Sequence, residues 1–367
     1  MLRPARMRLP AGASSGKGPR MNSRTDVLVL FSGGLDSILA CKVLQDQGLR
    51  VLGLHFVTPF FGKPRKLPLW RETYGLDIEA VDVSEEYVRM LAAPVHGWGK
   101  AMNPCVDCKI LMLSRARAMM TACGAKALAS GEVVGQRPMS QRRDALNIIS
   151  RDAGVRGVLV RPLSALLVEP TAVEEAGFVD RSRLLDIGGR GRKRQLALAR
   201  EYGIVDIPTP AGGCCLTEPE AAARICKVYA HRPSPSPADC ALAGIGRQYW
   251  AGDLWLSVGR NESDNRRLES LAEPGDILFK TRNFPGPLVL GRGGSGTWDP
   301  EAVRDAAAFT ASFSPKAVRV GGPVEVGLTR DGRLAQVVVQ PERSTPLGWT
   351  EPTPDFLREW KASRAER

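Results

Sequence analysis

The sequence contains no apolar run long enough to cross a membrane. A membrane-spanning helix needs about 18 to 20 consecutive apolar residues, and no stretch of this chain approaches that length. The basic start of the chain is also not followed by the apolar segment of a secretory signal. We therefore expect a cytoplasmic protein that has no membrane partner.

Acidic residues are missing from residues 1–20, which carry five basic ones. We interpret residues 1–25 as a disordered basic tail, and a transit peptide or a later start at Met21 are the alternatives. The whole chain has 51 Lys and Arg against 39 Asp and Glu, which gives a net charge of +12. This excess favours an anionic partner such as nucleic acid or a nucleotide.

A disulfide framework is not expected from the eight cysteines, because disulfides are rare in the cytoplasm. Two cysteines form the pair Cys105-x-x-Cys108, and two others, Cys214 and Cys215, are adjacent. This grouping favours thiol or metal chemistry. The isolated cysteines are predicted to be buried and unreactive: Cys41, Cys123, Cys226 and Cys240.

The segment "VLVLFSGGLDSILA", residues 27–40, combines a short apolar run with a glycine-rich turn. The apolar run predicts a buried parallel strand, and the apolar spacing from Leu35 onward predicts a helix. Ser32, Gly33 and Gly34 then fill a tight turn at the positive end of the helix dipole. Such a turn is a phosphate cradle, although a plain strand-to-helix turn is the alternative.

The full "SGGLDS" resembles the PP-loop of the ATP pyrophosphatases, and no G-x-x-x-x-G-K-[ST] loop is present. The resemblance implies ATP and Mg²⁺ as ligands, held by Ser32, Gly33, Gly34, Asp36 and Ser37. Further strands are predicted at 50–56, 76–83 and 125–130, with helices between them. We therefore predict a doubly wound α/β domain with a mainly parallel sheet, of the adenine nucleotide alpha hydrolase type.

Ligands of such sheets lie beyond the carboxyl ends of the strands. We therefore expect His55, Phe56, Gly131 and Gln136 to border the nucleotide. For His55, a backbone contact with adenine is favoured over a role as catalytic base, because a histidine that closes a buried strand is usually structural.

The segment "NPCVDCK" places Cys105 and Cys108 at a predicted helix start, where the helix dipole favours thiolates. Three cysteine ligands, Cys105, Cys108 and Cys214, would suit a [4Fe–4S] cluster with one open iron, with Cys215 as the alternative ligand. Zinc is the alternative metal, although a structural site wants four ligands. The remaining alternative is a persulfide on Cys108 that Cys214 resolves.

Two elements together suggest a function. "SGEVVGQRPMSQ" resembles the "TGE-x-x-GQ-x-x-SQ" element of tRNA 4-thiouridine synthetases, and "NPCVDC" resembles the "NPC-x-x-C" of tRNA 2-thiouridylases. The resemblance covers about residues 26–230 and implies an ATP-dependent tRNA sulfurtransferase. In that reaction Asp36, Cys108 and Cys214 would be catalytic, and a cysteine desulfurase or sulfide would supply sulfur. The resemblance does not include the amino-terminal RNA-binding domain of the 4-thiouridine synthetases.

Basic segments predict where RNA could bind. The polar helix start after Gly135 offers Arg137 and Gln141, and the run 181–200 contains seven basic residues against one acid. In that run, Arg192, Lys193 and Arg194 are predicted to contact phosphates, with a solvated helix face as the alternative.

A second domain is predicted at 242–345, after a Pro/Ser linker at 231–241 and before a tail at 346–367. Its alternating strands and glycine turns indicate a smaller α+β fold. Its "GRN" and later "PG" resemble the RNA-binding domain of NFACT proteins, which implies RNA contacts from Arg260 and Asn261. Two positions depart from that family, Phe279 and Leu288. A structural α+β cap is the alternative.

Other functions remain open on the sequence alone. A PP-loop synthetase that acts on a small molecule is one, and a non-catalytic, nucleotide-sensing RNA- or ribosome-binding protein is another. The modified uridine position, the tRNA species and the sulfur donor are not encoded in any motif. A homodimer is compatible with the sequence.

Overall fold

A computed structural model describes residues 25–209, 213–293 and 298–365. The predicted basic tail at residues 1–25 lies outside the described residues apart from Thr25. In the described part of the chain, no helix has the length and apolar character that crossing a membrane requires.

The first domain is built on a five-stranded parallel sheet with the order β3-β2-β1-β4-β5. Every predicted strand of this domain is present, and the central strands are apolar because helices cover both faces. The strands are β1 Val27–Leu30, β2 Val51–Val57, β3 Asp77–Asp82, β4 Ala127–Ser130 and β5 Leu159–Val160.

Eight helices surround this sheet or follow it in the chain: α1 Leu35–Asp46, α2 Leu67–Tyr74, α3 Ser84–Ala92, α4 Cys105–Cys123, α5 Arg143–Asp152, α6 Ala172–Glu175, α7 Lys193–Glu201 and α8 Pro219–His231. The strand order reverses direction between β1 and β4, since the chain adds β2 and β3 on one side and β4 and β5 on the other. Ligands of doubly wound sheets bind at this switch point, beyond the carboxyl ends of the strands. The α/β prediction is therefore confirmed.

The second domain has a six-stranded sheet with the order β11-β10-β8-β9-β7-β6, and all its pairs are antiparallel. The smaller α+β domain predicted from the alternating strands is thus present. Its strands are β6 Arg247–Ala251, β7 Leu254–Val258, β8 Ile277–Thr281, β9 Val289–Gly293, β10 Val324–Arg330 and β11 Arg333–Val339. Its helices are α9 Pro237–Ala243, α10 Glu262–Leu271, α11 Pro300–Ala311 and α12 Pro315–Val320.

Two segments differ from the sequence-based division of the chain. Residues 237–241, predicted as linker, form most of α9, because Ser236 and Asp239 cap its first turn reciprocally. The predicted tail contains a further helix, α13 Pro354–Ala365, which packs against α8. Both helices contribute buried side chains to the apolar core between the domains, which the proline and serine content of these segments does not reveal.

One apolar core joins the two domains. It contains Tyr87 and Leu216 from the first domain, Trp250 and Leu290 from the second, and Trp360 from α13. Each of these side chains is at least nine-tenths buried. Because burial of apolar area is the main favourable term in packing, this shared core fixes the second domain and α13 against the helices behind the first sheet.

Candidate nucleotide and thiol site

The turn after β1 has the geometry of an anion cradle. Gly33 has φ +76°, and a Cβ at this position would lie 2.4 Å from the Trp70 ring, so only glycine fits. The Ser37 hydroxyl donates to the Gly34 carbonyl over 2.8 Å and lies 3.2 Å from the Ser32 hydroxyl oxygen. No side chain in the described part of the chain caps α1, so the positive end of its dipole remains available for an anion.

Asp36 stands on the first turn of α1 in a position that suits a cation or a polar ligand. Burial raises the pKa of its carboxyl group, while nearby Gln136, Arg192, Arg137 and Gln195 act in the opposite direction. Its Oδ1 atom is buried and has no hydrogen-bond partner in residues 25–209, 213–293 and 298–365. An unpaired buried oxygen costs about 1–3 kcal/mol. A bound cation or polar ligand that contacts this oxygen would remove that cost.

Gln195, on the first turn of α7, is a second unpaired polar group at this place. The residue is fully buried, and neither its amide oxygen nor its amide nitrogen has a hydrogen-bond partner of good geometry among the described residues, although the amide lies close enough to Asp36 to lower the pKa of that carboxyl. Together with Asp36, it gives the cradle unpaired acceptors and a donor, which fit the phosphates of ATP and its Mg²⁺. Sequence reasoning missed Gln195, since it lies inside a basic run without a motif.

The loop after β4 closes the cradle from the other side of the switch point. A Cβ on Gly131 would lie 2.4 Å from the backbone oxygen of Asp36, so this loop packs directly on α1. The N–H of Gly135 donates to the carbonyl of Gln141 over 2.7 Å, which braces the loop. The side chain of Gln141 is buried and its Oε1 lacks a partner. A buried amide does not suit the predicted surface contact with RNA.

His55 is held as a structural group. Its Nε2 accepts the N–H of Lys63 over 2.7 Å, and its Nδ1 therefore carries the proton and donates to the Phe31 carbonyl over 3.0 Å. Burial lowers its pKa, so the ring is neutral. The ring of Trp70 lies 5.1 Å from that of His55 and covers the turn. Phe56 is buried in the core.

Two distant cysteine segments are joined by backbone and side-chain contacts. The N–H of Met102 donates to the carbonyl of Leu216 over 3.1 Å. Asn103 Nδ2 lies 3.3 Å from the Cys105 sulfur and 3.1 Å from the Met139 sulfur. The loop at 99–103 therefore contacts the Cys105 segment, the Cys215 neighbourhood and the loop after β4. The thiols thus lie beside the same edge of the sheet as the cradle.

The thiols share one apolar environment and influence one another. Burial is the main cause that raises the pKa of Cys108 to about 12; the Lys109 charge and the Tyr87 hydroxyl oppose this rise, and the charges of Cys214 and Cys105 contribute to it. Burial likewise raises the pKa of Cys214, to which Cys105 adds, and raises that of Cys215 to about 11. The three sequence-predicted cysteines are thus brought together, and in their resting state the thiols of Cys108 and Cys214 are protonated.

Tyr87, on α3, lies among these thiols and was not predicted. Among the described residues its buried hydroxyl has no hydrogen-bond partner of good geometry, although it lies close enough to Cys108 to lower the pKa of that thiol. Burial raises its pKa, and the charges of Cys108 and Cys214 add to that effect. An unpaired hydroxyl beside a thiol can donate to the thiolate when one forms.

The donor arrangement does not fit the predicted metal group. Among residues 25–209, 213–293 and 298–365, no group of three or more His, Cys, Asp or Glu side chains is placed to hold a metal ion. The predicted [4Fe–4S] cluster on Cys105, Cys108 and Cys214, its Cys215 variant and the zinc alternative are therefore not supported. Three thiols can lie near one another without pointing at a common centre, and a cluster needs ligands that do.

The predicted RNA contacts of the first domain fall into different settings. Arg137 and Lys193 are exposed. The charge of Arg192 lowers the pKa of the Asp36 carboxyl, so Arg192 lies near the cradle. Arg194 pairs with Asp186 over 2.6 Å at the surface.

In the second domain, both predicted RNA contacts have structural partners. The Arg260 guanidinium pairs with Asp264 over 2.9 Å, and half of its side chain is exposed. Asn261 is the N-cap of α10, since its side-chain oxygen accepts the N–H of Asp264 over 2.9 Å. Because the side-chain oxygen of Asn261 already accepts this hydrogen bond, the capping of α10 is sufficient to explain the asparagine at this position.

A parallel doubly wound sheet with a glycine-rich turn at its switch point is an α/β arrangement in which ligands bind beyond the carboxyl ends of the strands. Residues 22–169 match the family described as "Thiamine biosynthesis protein (ThiI)". That match includes the cradle, the loop after β4, and Cys105 and Cys108.

Curated relatives extend this similarity. The chain is 34% identical over 127 residues to the tRNA-specific 2-thiouridylase MnmA of Nitratidesulfovibrio vulgaris, covering 30% of this chain and 35% of the relative. It is 26% identical over 153 residues to a probable tRNA sulfurtransferase of Thermococcus kodakarensis, covering 41% and 39%. The chain thus spans little more than a third of the length of these relatives.

A solved structure described as a "predicted subunit of tRNA methyltransferase" from Methanocaldococcus jannaschii is 16% identical. It covers 38% of this chain and 69% of its own, with a TM-score of 0.28. A likeness this low defines neither fold nor function. The resemblance of residues 242–345 to the RNA-binding domain of NFACT proteins stays a prediction.

Proposed function

We propose that this protein is an ATP-dependent tRNA sulfurtransferase that replaces a uridine oxygen with sulfur. The observation that carries the proposal is the placement of a PP-loop cradle and a group of thiols at one edge of a sheet. The cradle activates an oxygen with ATP, and the thiols deliver the atom that replaces it. The match of residues 22–169 to the ThiI family supports the same substrate class, as does the similarity of the chain to a tRNA-specific 2-thiouridylase and a probable tRNA sulfurtransferase.

The first step is adenylation. The carbonyl oxygen of the uridine attacks the α-phosphorus of ATP, an O–P bond forms, and the bond to the leaving pyrophosphate breaks. Asp36 would hold the Mg²⁺ that neutralises the phosphates, with Gln195 donating to a phosphate oxygen. The N–H groups at the start of α1 and Arg192 stabilise the charge that develops on pyrophosphate. Gly131 keeps the loop after β4 close enough to exclude water.

The second step is sulfur transfer through a thiol relay. A donor first loads Cys108 as a persulfide, and the terminal sulfur attacks the adenylated carbon. Cys214 then attacks the Cys108 sulfur, which releases the thionucleoside sulfur and leaves a Cys108–Cys214 disulfide, while AMP departs with the original oxygen. An external dithiol reduces the disulfide. A cysteine desulfurase persulfide is the sulfur source that balances this step.

Exposed cations around the carboxyl edge support a polyanionic substrate. They follow β2, β4 and β5 in the chain, after strand ends at the carboxyl edge of the sheet. Such a rim attracts the phosphate backbone of RNA without reading its sequence. The exposed cations are Lys63, Arg65, Lys66, Arg137, Arg143, Arg190 and Lys193.

Separation of the two half-reactions tests the proposal. Purified protein is mixed with Mg-ATP and unmodified tRNA, and pyrophosphate release is measured by an enzyme-coupled assay. We expect tRNA to stimulate the release, and we expect Cys108→Ser to retain it while losing thionucleoside formation. Cys123→Ser, at the far end of α4, is the matched control and retains both. Release that a small acceptor stimulates and tRNA does not would overturn the proposal.

A further inference from the structure

The carboxy-terminal helix α13 reaches back to the loop that precedes the first cysteine. The Lys361 ammonium donates to the carbonyl of Gly99 over 2.6 Å and to that of Ala101 over 2.9 Å. Ala101 is almost fully buried. Two carbonyls of one loop are therefore held by a single charge that lies about 260 residues away in sequence.

That loop is folded tightly around Asn103. The N–H of Gly99 donates to the Asn103 carbonyl over 2.9 Å, and the N–H of Ala101 donates to its side-chain oxygen over 3.3 Å. A Cβ on Gly99 would lie 2.3 Å from Asn103 Nδ2. The same Nδ2 lies 3.3 Å from the Cys105 sulfur. Asn103 therefore contacts both the residues whose carbonyls bind Lys361 and the sulfur of Cys105.

The loop also carries the link to the second cysteine segment. Met102, next to Ala101, donates to the carbonyl of Leu216 over 3.1 Å. Cys215 is further anchored, since its sulfur lies 3.5 Å from the Phe60 carbonyl. The relative position of the two cysteine segments therefore depends on the conformation of residues 99–103.

Separate contacts dock α13 without involving this loop's carbonyls. The Lys227 ammonium, on α8, lies 4.3 Å above the Phe356 ring, and Arg364 donates to the Ala92 carbonyl over 3.0 Å. The rings of Trp360 and Trp98 lie 5.3 Å apart. Loss of Lys361 therefore removes the clamp on the loop while the helix keeps other attachments.

We propose that Lys361 is a positioning residue that holds the two cysteine segments within reach of each other. The proposal rests on the proposed function, since it concerns the thiol relay between Cys108 and Cys214. Without the ammonium, two carbonyls lose their donor and the loop can take other conformations. The two cysteine segments then come together less often, whereas the affinity of the cradle for nucleotide should not change.

A bifunctional alkylating reagent tests the proposal on the full-length chain. Dibromobimane bridges two thiols with loss of two bromides, and the bridge between the Cys105/Cys108 peptide and the Cys214/Cys215 peptide is quantified by mass spectrometry after digestion. The loss of charged hydrogen bonds predicts bridging about tenfold slower in Lys361→Met. Lys361→Arg should restore much of the rate, because it keeps the charge and the donors. Lys227→Met, which weakens α13 docking elsewhere, should bridge at the wild-type rate.

The outcomes separate this proposal from the thiol relay itself. Absence of a bridge in the wild type would contradict the relay. A wild-type bridge that forms equally fast in Lys361→Met would overturn the role of Lys361. Equal slowing in Lys227→Met would also overturn it, because helix docking in general would then be the cause. Nucleotide affinity is measured in each variant, and a loss in Lys361→Met would show a global defect and contradict the proposal.

Discussion

The backbone N–H of Met102 donates to the carbonyl of Leu216 over 3.1 Å. This hydrogen bond connects the residue three positions before Cys105 with the residue directly after Cys215. Two cysteine segments that are far apart in the chain thus become neighbours in the fold. The same loop contacts the segment after β4, so the thiols and the nucleotide cradle share one structural support.

Gly131→Ala should weaken nucleotide binding strongly. The new methyl group would lie 2.4 Å from the backbone oxygen of Asp36, which no real Cβ tolerates, so the loop after β4 must move away from α1. We expect a loss of affinity for ATP of about tenfold or more, measured by calorimetry. Gly191→Ala is the control, since a Cβ there meets nothing within 4 Å. Equal affinity in the two variants would contradict the close approach.

Asp36→Asn should stabilise the free protein and abolish pyrophosphate release. Burial raises the pKa of this carboxyl above its ordinary value of 3.8, so the charged form costs stability once the pH exceeds the raised pKa. The gain in Tm should therefore be present at pH 8 and should vanish as the pH falls below that ordinary value. The Tm of the variant and of the wild type is measured by thermal unfolding across this pH range. A lower Tm for the variant at pH 8 would show that the carboxylate is stabilised by its neighbours.

Arg192→Met and Arg194→Met should differ in their effect on nucleotide binding. Arg192 acts on the Asp36 carboxyl, whereas Arg194 is paired with Asp186 at the surface. Loss of a charge at the cradle should weaken Mg-ATP binding about tenfold, and loss of the surface pair should change it little. Comparable affinities in both variants would mean that the run 190–194 serves another partner, such as RNA.

Tyr87→Phe should shift the reactivity of Cys108 to higher pH. Burial raises the pKa of this thiol to about 12, and the Tyr87 hydroxyl counteracts part of that rise. The thiol is deprotonated only as the pH increases, so alkylation accelerates with pH and the variant should lag by about three- to tenfold at any pH below 10. The rate of Cys108 alkylation by iodoacetamide is measured at each pH by mass spectrometry. Tyr74→Phe, which only loses a bond to the Asp206 carbonyl, should leave the profile unchanged.

The sheet of the first domain and its cradle could be predicted because the signals are local. The apolar run at Val27–Leu30, the turn at Gly33 and the helical spacing from Leu35 lie within one short segment. The rule that ligands bind at strand ends also predicts Gly131 beside the nucleotide, and Gly131 packs closely on the backbone of Asp36. Its contact with the nucleotide stays a prediction.

The contacts that complete the site could not be predicted, because they depend on distant parts of the chain. Gln195 and Tyr87 carry no motif, and their importance lies in buried polar atoms that only a folded structure can show to be unpaired. Lys361 lies in a segment that the sequence suggests is a tail. The metal site was predicted from three thiols, yet ligand convergence is a property of side-chain direction that spacing does not determine.

Direct analysis of tRNA nucleosides tests the central claim. Unmodified tRNA is incubated with the protein, Mg-ATP, a cysteine desulfurase, cysteine and a dithiol reductant, and the digested nucleosides are examined by mass spectrometry. We predict a uridine in which sulfur replaces one oxygen, formed only with ATP and lost in both Cys108→Ser and Cys214→Ser. Consumption of ATP without a thionucleoside, or a thionucleoside that still forms in Cys108→Ser, would contradict the account.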